Sequence, residues 1–254
     1  MTRVVINGVG KLGQAVIAAS QEPGAAGDVV VVAGVDAAWP KVSRSVEVPV
    51  VESLDAVPDD FDVIVDCSRA EGVDGVLEFA LENEKAVVIA ATGHSEEQLA
   101  RIEKAARKIP VLHSSNLSLG VNVLRRLVED AGAMLGPVDA EIVETHHRMK
   151  VDAPSGTALT LAEALRDATG GDRKLVYGRS PEDHGARGKE IGIHAVRGGT
   201  VVGEHTVTFL LDDEIVELRH VAQSRGVFGY GALKAAAFIA TREPGLYSMA
   251  DLLG

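Results

Sequence analysis

Cysteine is nearly absent. Cys67 is the only one in 254 residues, so no intramolecular disulfide framework can form and a reducing compartment is expected. Positive charge is also short: 25 Lys and Arg stand against 37 Asp and Glu, a net charge of −12. That balance argues against a nucleic-acid surface, because phosphate binding needs clustered cations that displace counterions. Any anionic ligand must be held by a local cationic pocket. No apolar run approaches the roughly 18 residues that span a bilayer, and the opening MTRVVINGVG lacks the basic and apolar regions of a signal peptide. The expected setting is therefore the cytoplasm, with no membrane partner. Repeats, low-complexity tracts and long linkers are missing, as are HExxH and Cys/His clusters of ligand spacing, so no metal site is expected.

What is present is a globular composition, with 46% hydrophobic residues, enough for one large core or two modest ones. Buried-strand patterns recur at Arg3–Ile6, Val29–Val35, Val63–Cys67, Ala86–Ala90 and Val111–His113. Helical spacing appears at residues 14–20, 72–82 and 96–108. Strands alternating with helices predict a parallel sheet covered on both faces, an α/β domain over 1–117. Beyond it a helix at 121–134 precedes strand patterns at 140–147, 191–197, 206–211 and 215–220. Runs of strands with few helices predict a second, largely antiparallel sheet domain over 118–227. An apolar helix at 231–241 is expected to return to the first domain, so that 228–254 belongs with it.

Gly8-Val9-Gly10-Lys11-Leu12-Gly13 fits G-x-G-x-x-G directly after a strand and at the opening of a helix. The first glycine permits the turn, the second lets backbone approach a pyrophosphate, and the third lets helix and strand pack closely. Asp36 ends the second strand, where an acid accepts hydrogen bonds from the adenine ribose hydroxyls. An acid there repels a 2′-phosphate, and Ala37-Ala38 supplies no adjacent arginine. NADH is the favoured cofactor, and NADPH remains possible because Lys11 lies near the phosphate end.

Glu144-Thr145-His146-His147-Arg148-Met149-Lys150-Val151-Asp152-Ala153-Pro154-Ser155-Gly156-Thr157-Ala158 crowds basic and titratable groups at a strand end. Alternate strand residues share a face, so His146 and His147 point to opposite sides and are not expected to ligate one metal. Ser155 reads as a helix N-cap, with Gly156 and Thr157 in the first turn before 158–168. Backbone N–H groups, the Thr157 hydroxyl and Lys150 suit a carboxylate there. Cys67 reads as a small packed residue rather than a nucleophile. His94, His113, His184, His194, His205 and His220 are scattered and expected to be mostly structural or exposed.

The segment HHRMKVDAPSGTA resembles the signature of dihydrodipicolinate reductases. Gly203-Glu204-His205-Thr206, the stretches 66–72 and 219–225, and Ser115-Asn116 followed by Gly120-Val121-Asn122-Val123 have family counterparts in the same order, so the likeness covers almost the whole chain. The resemblance implies a Rossmann-like cofactor domain, a mixed-sheet substrate and oligomerisation domain, and a homotetramer. It implies that His146 is the acid/base residue and Lys150 the proton donor, and that His147, Ser155, Gly156, Thr157 and Arg225 contact a small dicarboxylate. Asn7, Ala90, Ala91, Thr92, Ser114, Ser115, Asn116 and Leu117 join the glycine loop and Asp36 as expected cofactor contacts. Two departures stand out: Ala90-Ala91-Thr92-Gly93 replaces the usual Gly-Thr-Thr-Gly, and Asn7-Gly8 stands where many members put glycine first. The alternatives are another nicotinamide dehydrogenase acting on an amino acid or semialdehyde, against which HHRMK and PSGT count, and a catalytically silent dinucleotide-binding module, against which the retained His146 and Lys150 count.

Overall fold

A computed structural model describes residues 1–22, 24, 27–39, 46–180 and 186–254. From the N-terminus, strands and helices alternate: β1 (Thr2–Asn7), α1 (Lys11–Gln21), β2 (Val29–Val35), β3 (Val50–Val51), β4 (Val63–Asp66), α2 (Val73–Glu82), β5 (Ala86–Ile89), α3 (Glu96–Ala106) and β6 (Pro110–His113). The strands are short and rich in Val and Ile, and β4 and β5 are buried at every position, as befits strands covered on both faces. Helix α3 is set by a capping box, in which the Ser95 hydroxyl accepts from Gln98 N–H and the Gln98 side chain accepts from Ser95 N–H.

Helix α4 (Leu119–Leu135) leads into β7 (Asp139–His146), α5 (Gly156–Ala168), β8 (Lys174–Tyr177), β9 (Glu190–Arg197), β10 (Gly203–Leu210) and β11 (Ile215–Ala222). The five strands run in the order β11-β10-β7-β9-β8. One face packs Ala140, Ile142, Ile191, Ile193, Val207 and Phe209 against α4 and α5. Two pairings are antiparallel and two, β7 with β9 and β8 with β9, are parallel. The sheet is thus mixed rather than largely antiparallel, because α5 serves as the connection that lets the chain return in the same direction. Strand β8 escapes the sequence pattern: its four residues are all partly or fully exposed and carry no alternation.

The chain then closes with α6 (Gly226–Ile239), β12 (Gly245–Tyr247) and α7 (Met249–Leu253). Helix α6 begins five residues before the expected start at Gly231. Its first turns hold three glycines, which weaken helix propensity by roughly 1 kcal/mol each, and packing on α1 compensates. Strand β12 completes a seven-stranded, all-parallel sheet of order β12-β6-β5-β4-β1-β2-β3. The connections reverse direction at β1, which lies between β4 and β2, and ligands of open α/β sheets bind beyond the strand ends at such a switch.

Two compact units result, Met1–Leu119 with Arg225–Gly254, and Gly120–Ser224. Arg225, expected among the substrate ligands of the second domain, belongs to the first unit and precedes α6. No helix among the described residues is long and apolar enough to cross a membrane.

Candidate active site

In the first unit the glycine loop joins β1 to α1. Gly8 has φ +87°, and a Cβ there would lie 2.7 Å from Ser68 N; a Cβ at Gly13 would lie 2.1 Å from the Gly8 carbonyl oxygen. Both positions exclude any side chain. A Cβ at Gly10 would meet no protein atom within 4 Å, so the backbone opening α1 is approachable from outside. Among the described residues no side chain caps that helix, which leaves its first N–H groups suited to a pyrophosphate. Asp36 accepts from Val9 N–H at 3.1 Å and from Ala38 N–H at 2.9 Å, one bond to each carboxylate oxygen, and each oxygen can still accept a ribose hydroxyl. A cleft of about 1450 Å³ opens here, lined by Gly8, Gly10, Asp36, Ser68, Arg69 and Phe79 among others. These features fit a dinucleotide.

Other expected cofactor residues gather at neighbouring strand ends. Ala90 and Ala91 follow β5, and Ala90 N–H donates to the Asp66 carbonyl at 2.9 Å. Ala91 is buried and Thr92 exposed. Ser114 to Leu117 follow β6, where Asn116 N–H donates to the Ser114 hydroxyl at 3.2 Å and Leu117 is buried. The carboxamide of Asn7 donates to Asp66 Oδ1 at 2.9 Å, so the Asn7 side chain is engaged within the fold. Cys67 is half-buried, and burial together with the Asp66 charge pushes its thiol up. It stays protonated.

In the second unit, the face of β7 that buries Ala140 and Ile142 ends with Glu144 and His146, both also buried. Strand β7 stops at His146, so His147 already lies in the following turn rather than in the strand. Glu144 Oε2 lies 2.6 Å from His146 Nδ1, and both Glu144 oxygens accept from Arg197, from Nη1 and Nη2 at 2.7 Å each. Glu144 Oε1 also accepts from Ser155 N–H at 2.9 Å. The sheet register supplies these neighbours: Arg197 of β9 pairs beside His146, and His205 of β10 stands opposite Glu144. Burial alone would raise the Glu144 carboxyl, but the hydrogen bonds from Arg197, His146 and Ser155 hold it below the usual carboxylate range. Burial lowers the His146 imidazole, with Lys150 and Arg197 acting in the same sense and Glu144 opposing.

Ser155 caps α5 as expected, accepting from Ala158 N–H at 3.2 Å. Its hydroxyl also sits 3.0 Å from His205 Nε2, and its side chain is buried. The Ser155 carbonyl accepts from Leu159 N–H at 3.1 Å, so every polar group of Ser155 is engaged internally, which sets it apart from the exposed Gly156 and half-buried Thr157 in the next turn. Lys150 pairs with Asp152 at 2.8 Å, and this hydrogen bond lowers the Asp152 carboxyl. Glu144, His146, Lys150 and the start of α5 thus come together in one unit. The sequence reading assigned nothing to Glu144, Arg197 or His205. The i, i+2 spacing of Glu144 and His146 on one strand face signals the first of them, and the family-like stretch Gly203-Glu204-His205-Thr206 the last. His194 pairs with Glu141 at 2.7 Å, and His184 lies outside the described residues.

The dihydrodipicolinate reductase N-terminus family model matches residues 2–117, and the dihydrodipicolinate reductase C-terminus model matches residues 120–253. A 4-hydroxy-tetrahydrodipicolinate reductase of Caldanaerobacter subterraneus subsp. tengcongensis is 46% identical over 254 residues, covering 100% of this chain and 98% of that protein. The Clostridium novyi protein of the same name is 40% identical over 255 residues, with 100% and 98% covered. The dipicolinate-bound dihydrodipicolinate reductase of Paenisporosarcina sp. TG-14 superposes with a TM-score of 0.80 at 26% identity, over 98% of this chain and 97% of that one. Matched along its length by both family models and by relatives of equal extent, the chain belongs to the dihydrodipicolinate reductase family.

Proposed function

We propose that this protein reduces 4-hydroxy-tetrahydrodipicolinate to tetrahydrodipicolinate in lysine and diaminopimelate biosynthesis, using a reduced nicotinamide dinucleotide. The observation that carries this reading is the strand-end cluster of a buried His146, Lys150 four residues on, and the exposed first turn of α5, within a chain of this family.

The nicotinamide supplies a hydride when bound. The glycine loop and the start of α1 suit its pyrophosphate, and Asp36 its adenine ribose, in which case NADH is favoured over NADPH. The substrate loses its 4-hydroxyl group as water, which leaves a cyclic dicarboxylate with conjugated unsaturation as the species that is reduced. Hydride addition to one of its carbons leaves negative charge on the adjoining unsaturated atoms, which must be stabilised and then protonated. Lys150 supplies a proton and stabilises that charge once it leaves Asp152, and His146 acts as the acid/base group. The N–H groups that open α5, with Gly156, the Thr157 hydroxyl and His147, hold a carboxylate, and Arg225 is a further carboxylate contact. We further propose a cytoplasmic homotetramer, as the family resemblance implies; light scattering should give about four times the 26.6 kDa chain mass.

Purified protein given freshly generated 4-hydroxy-tetrahydrodipicolinate should oxidise NADH, and pyridine-2,6-dicarboxylate should compete with substrate. The corresponding monoacid should inhibit roughly ten- to a hundredfold less well, since each charge-assisted contact is worth about 1.5–3 kcal/mol. Absence of oxidation of both NADH and NADPH, or equal inhibition by the two acids, would overturn the reading.

A further inference from the structure

Within the second unit, the two ring nitrogens of His146 meet different surroundings. Nδ1 is 2.6 Å from Glu144 Oε2. That carboxylate is buried and cannot swing away, because Arg197 grips both of its oxygens at 2.7 Å and Ser155 N–H donates to Oε1 at 2.9 Å. On the opposite side of the ring, a Cβ at Gly203 would stand only 3.0 Å from Nε2. Glycine at the start of β10 therefore keeps that nitrogen clear. His205 packs edge-on against the same ring, with centroids 5.2 Å apart, and is itself tied to the Ser155 hydroxyl.

We propose that Glu144, clamped by Arg197, is a positioning residue that holds the His146 proton on Nδ1, and that Gly203 leaves Nε2 as the nitrogen that exchanges protons with substrate. A carboxylate can only accept, so a neutral His146 must donate Nδ1–H to it and present an Nε2 lone pair. When the ring is charged, the transferable proton is the one on Nε2: that N–H bond breaks, a bond from hydrogen to the electron-rich substrate atom forms, and the ring relaxes to the same Nδ1–H tautomer. Arg197 keeps Glu144 ionised and offsets its charge, so the carboxylate does not draw Lys150 from the site. The groups facing His146 are Glu144 on its own strand, Arg197 on β9, His205 on β10, and Lys150 in the turn beyond. The inference rests on the proposed acid/base role of His146, while its geometry stands without any assay.

The test begins with the parent protein, free of ligands. Nitrogen-15 spectra, with His146 assigned by its loss in His146→Gln, should show a protonated Nδ1 and an unprotonated Nε2 when the ring is neutral. A proton on Nε2 instead would overturn the proposal. Glu144→Gln should lower kcat by about tenfold or more, inside the roughly 10²–10⁴ that acid–base help supplies, while NADH affinity stays within about twofold. Its His146 titration and the pH profile of kcat should both move to lower pH, since a charge favouring the imidazolium has been lost. Gly203→Ala should lower kcat and leave the Nδ1–H tautomer in place. Parental kcat and pH profile in a folded Glu144→Gln would overturn the assignment, and if that variant does not fold, the spectrum of the parent decides. A parent protein that shows the expected tautomer but oxidises neither NADH nor NADPH with the substrate would remove the proposed function alone.

Discussion

The three glycines of the loop between β1 and α1 sit in different surroundings, and the geometry turns that into contrasting outcomes. Gly13 is pressed against the Gly8 carbonyl, where a methyl would lie 2.1 Å from oxygen, whereas Gly10 faces open space. Gly13→Ala should destabilise the protein by about 1–3 kcal/mol, the usual range for overpacking. Gly10→Ala should leave stability within about 1 kcal/mol but weaken NADH, because its new methyl stands where a pyrophosphate would approach. Urea unfolding and calorimetric NADH titration separate the two; equal stability of both variants would contradict the packing. The histidines carry a second residue-scale expectation. Burial, helped by His146, pushes His205 from 6.5 down to about 4. Between those values the unfolded chain takes up a proton that the folded protein does not, so stability falls as pH drops from about 6.5 to about 4. At 1.36 kcal/mol per pKa unit the loss is about 3 kcal/mol. His146, His113 and His220 are also lowered by burial and act in the same direction. His205→Gln should therefore flatten the largest part of the slope in urea melts taken at several pH values, and an unchanged slope would assign it to the other three rings.

At the scale of elements, β3 matters out of proportion to its two residues. It pairs in parallel with the end of β2, Val35 beside Val51, and Asp36 N–H donates to the Val51 carbonyl at 2.9 Å. That register carries Glu52 alongside Asp36, and both line the cleft next to the glycine loop. Two carboxylates there would oppose a 2′-phosphate more strongly than Asp36 alone. Calorimetry with both reduced cofactors should show tighter binding of NADH, with the gap narrowing in Asp36→Ala and again in Glu52→Lys. Tighter NADPH binding by the parent protein would sink the role given to Asp36. Nothing in the run Pro49–Glu52 signals a strand, because two residues are too few for any periodicity. Only the neighbouring edge of β2 makes Val50 and Val51 extended. The same holds for β12, three residues recruited by the free edge of β6.

For the whole molecule, the chain's two ends build one unit. Ala232, Leu233, Ala235, Ala236 and Ile239 of α6 are buried in the same core as Val4, Ile6, Val16 and Ile17, and β12 extends the sheet that β1 begins. Removing residues 225–254 should therefore abolish NADH binding and cooperative unfolding of the first unit, even though the glycine loop is more than 200 residues away in sequence. A truncated chain that still titrates with NADH, or keeps the parental circular dichroism melt, would show that α6 is dispensable.

Local chemistry made much of this legible in the sequence. The strand–glycine loop–helix pattern, Asp36 at the end of its strand and the Ser155 cap depend on neighbours within a few residues, and they were readable because backbone geometry and short-range hydrogen bonding set them. The basic strand end was visible for the same reason, as was its likeness to a known signature. What surrounds His146 was not. Glu144, Arg197, Gly203 and His205 sit on three strands, separated by up to 61 residues of chain, and only sheet pairing brings them to one ring. Mixed rather than antiparallel order, the short strands β3, β8 and β12, and the placing of Arg225 with the first unit were likewise decided by tertiary contacts. A strand's partner and direction depend on edges and connections that no local pattern encodes, so the chain by itself offers candidate residues such as His146, Lys150 and Thr157, and the fold decides which side chains surround them.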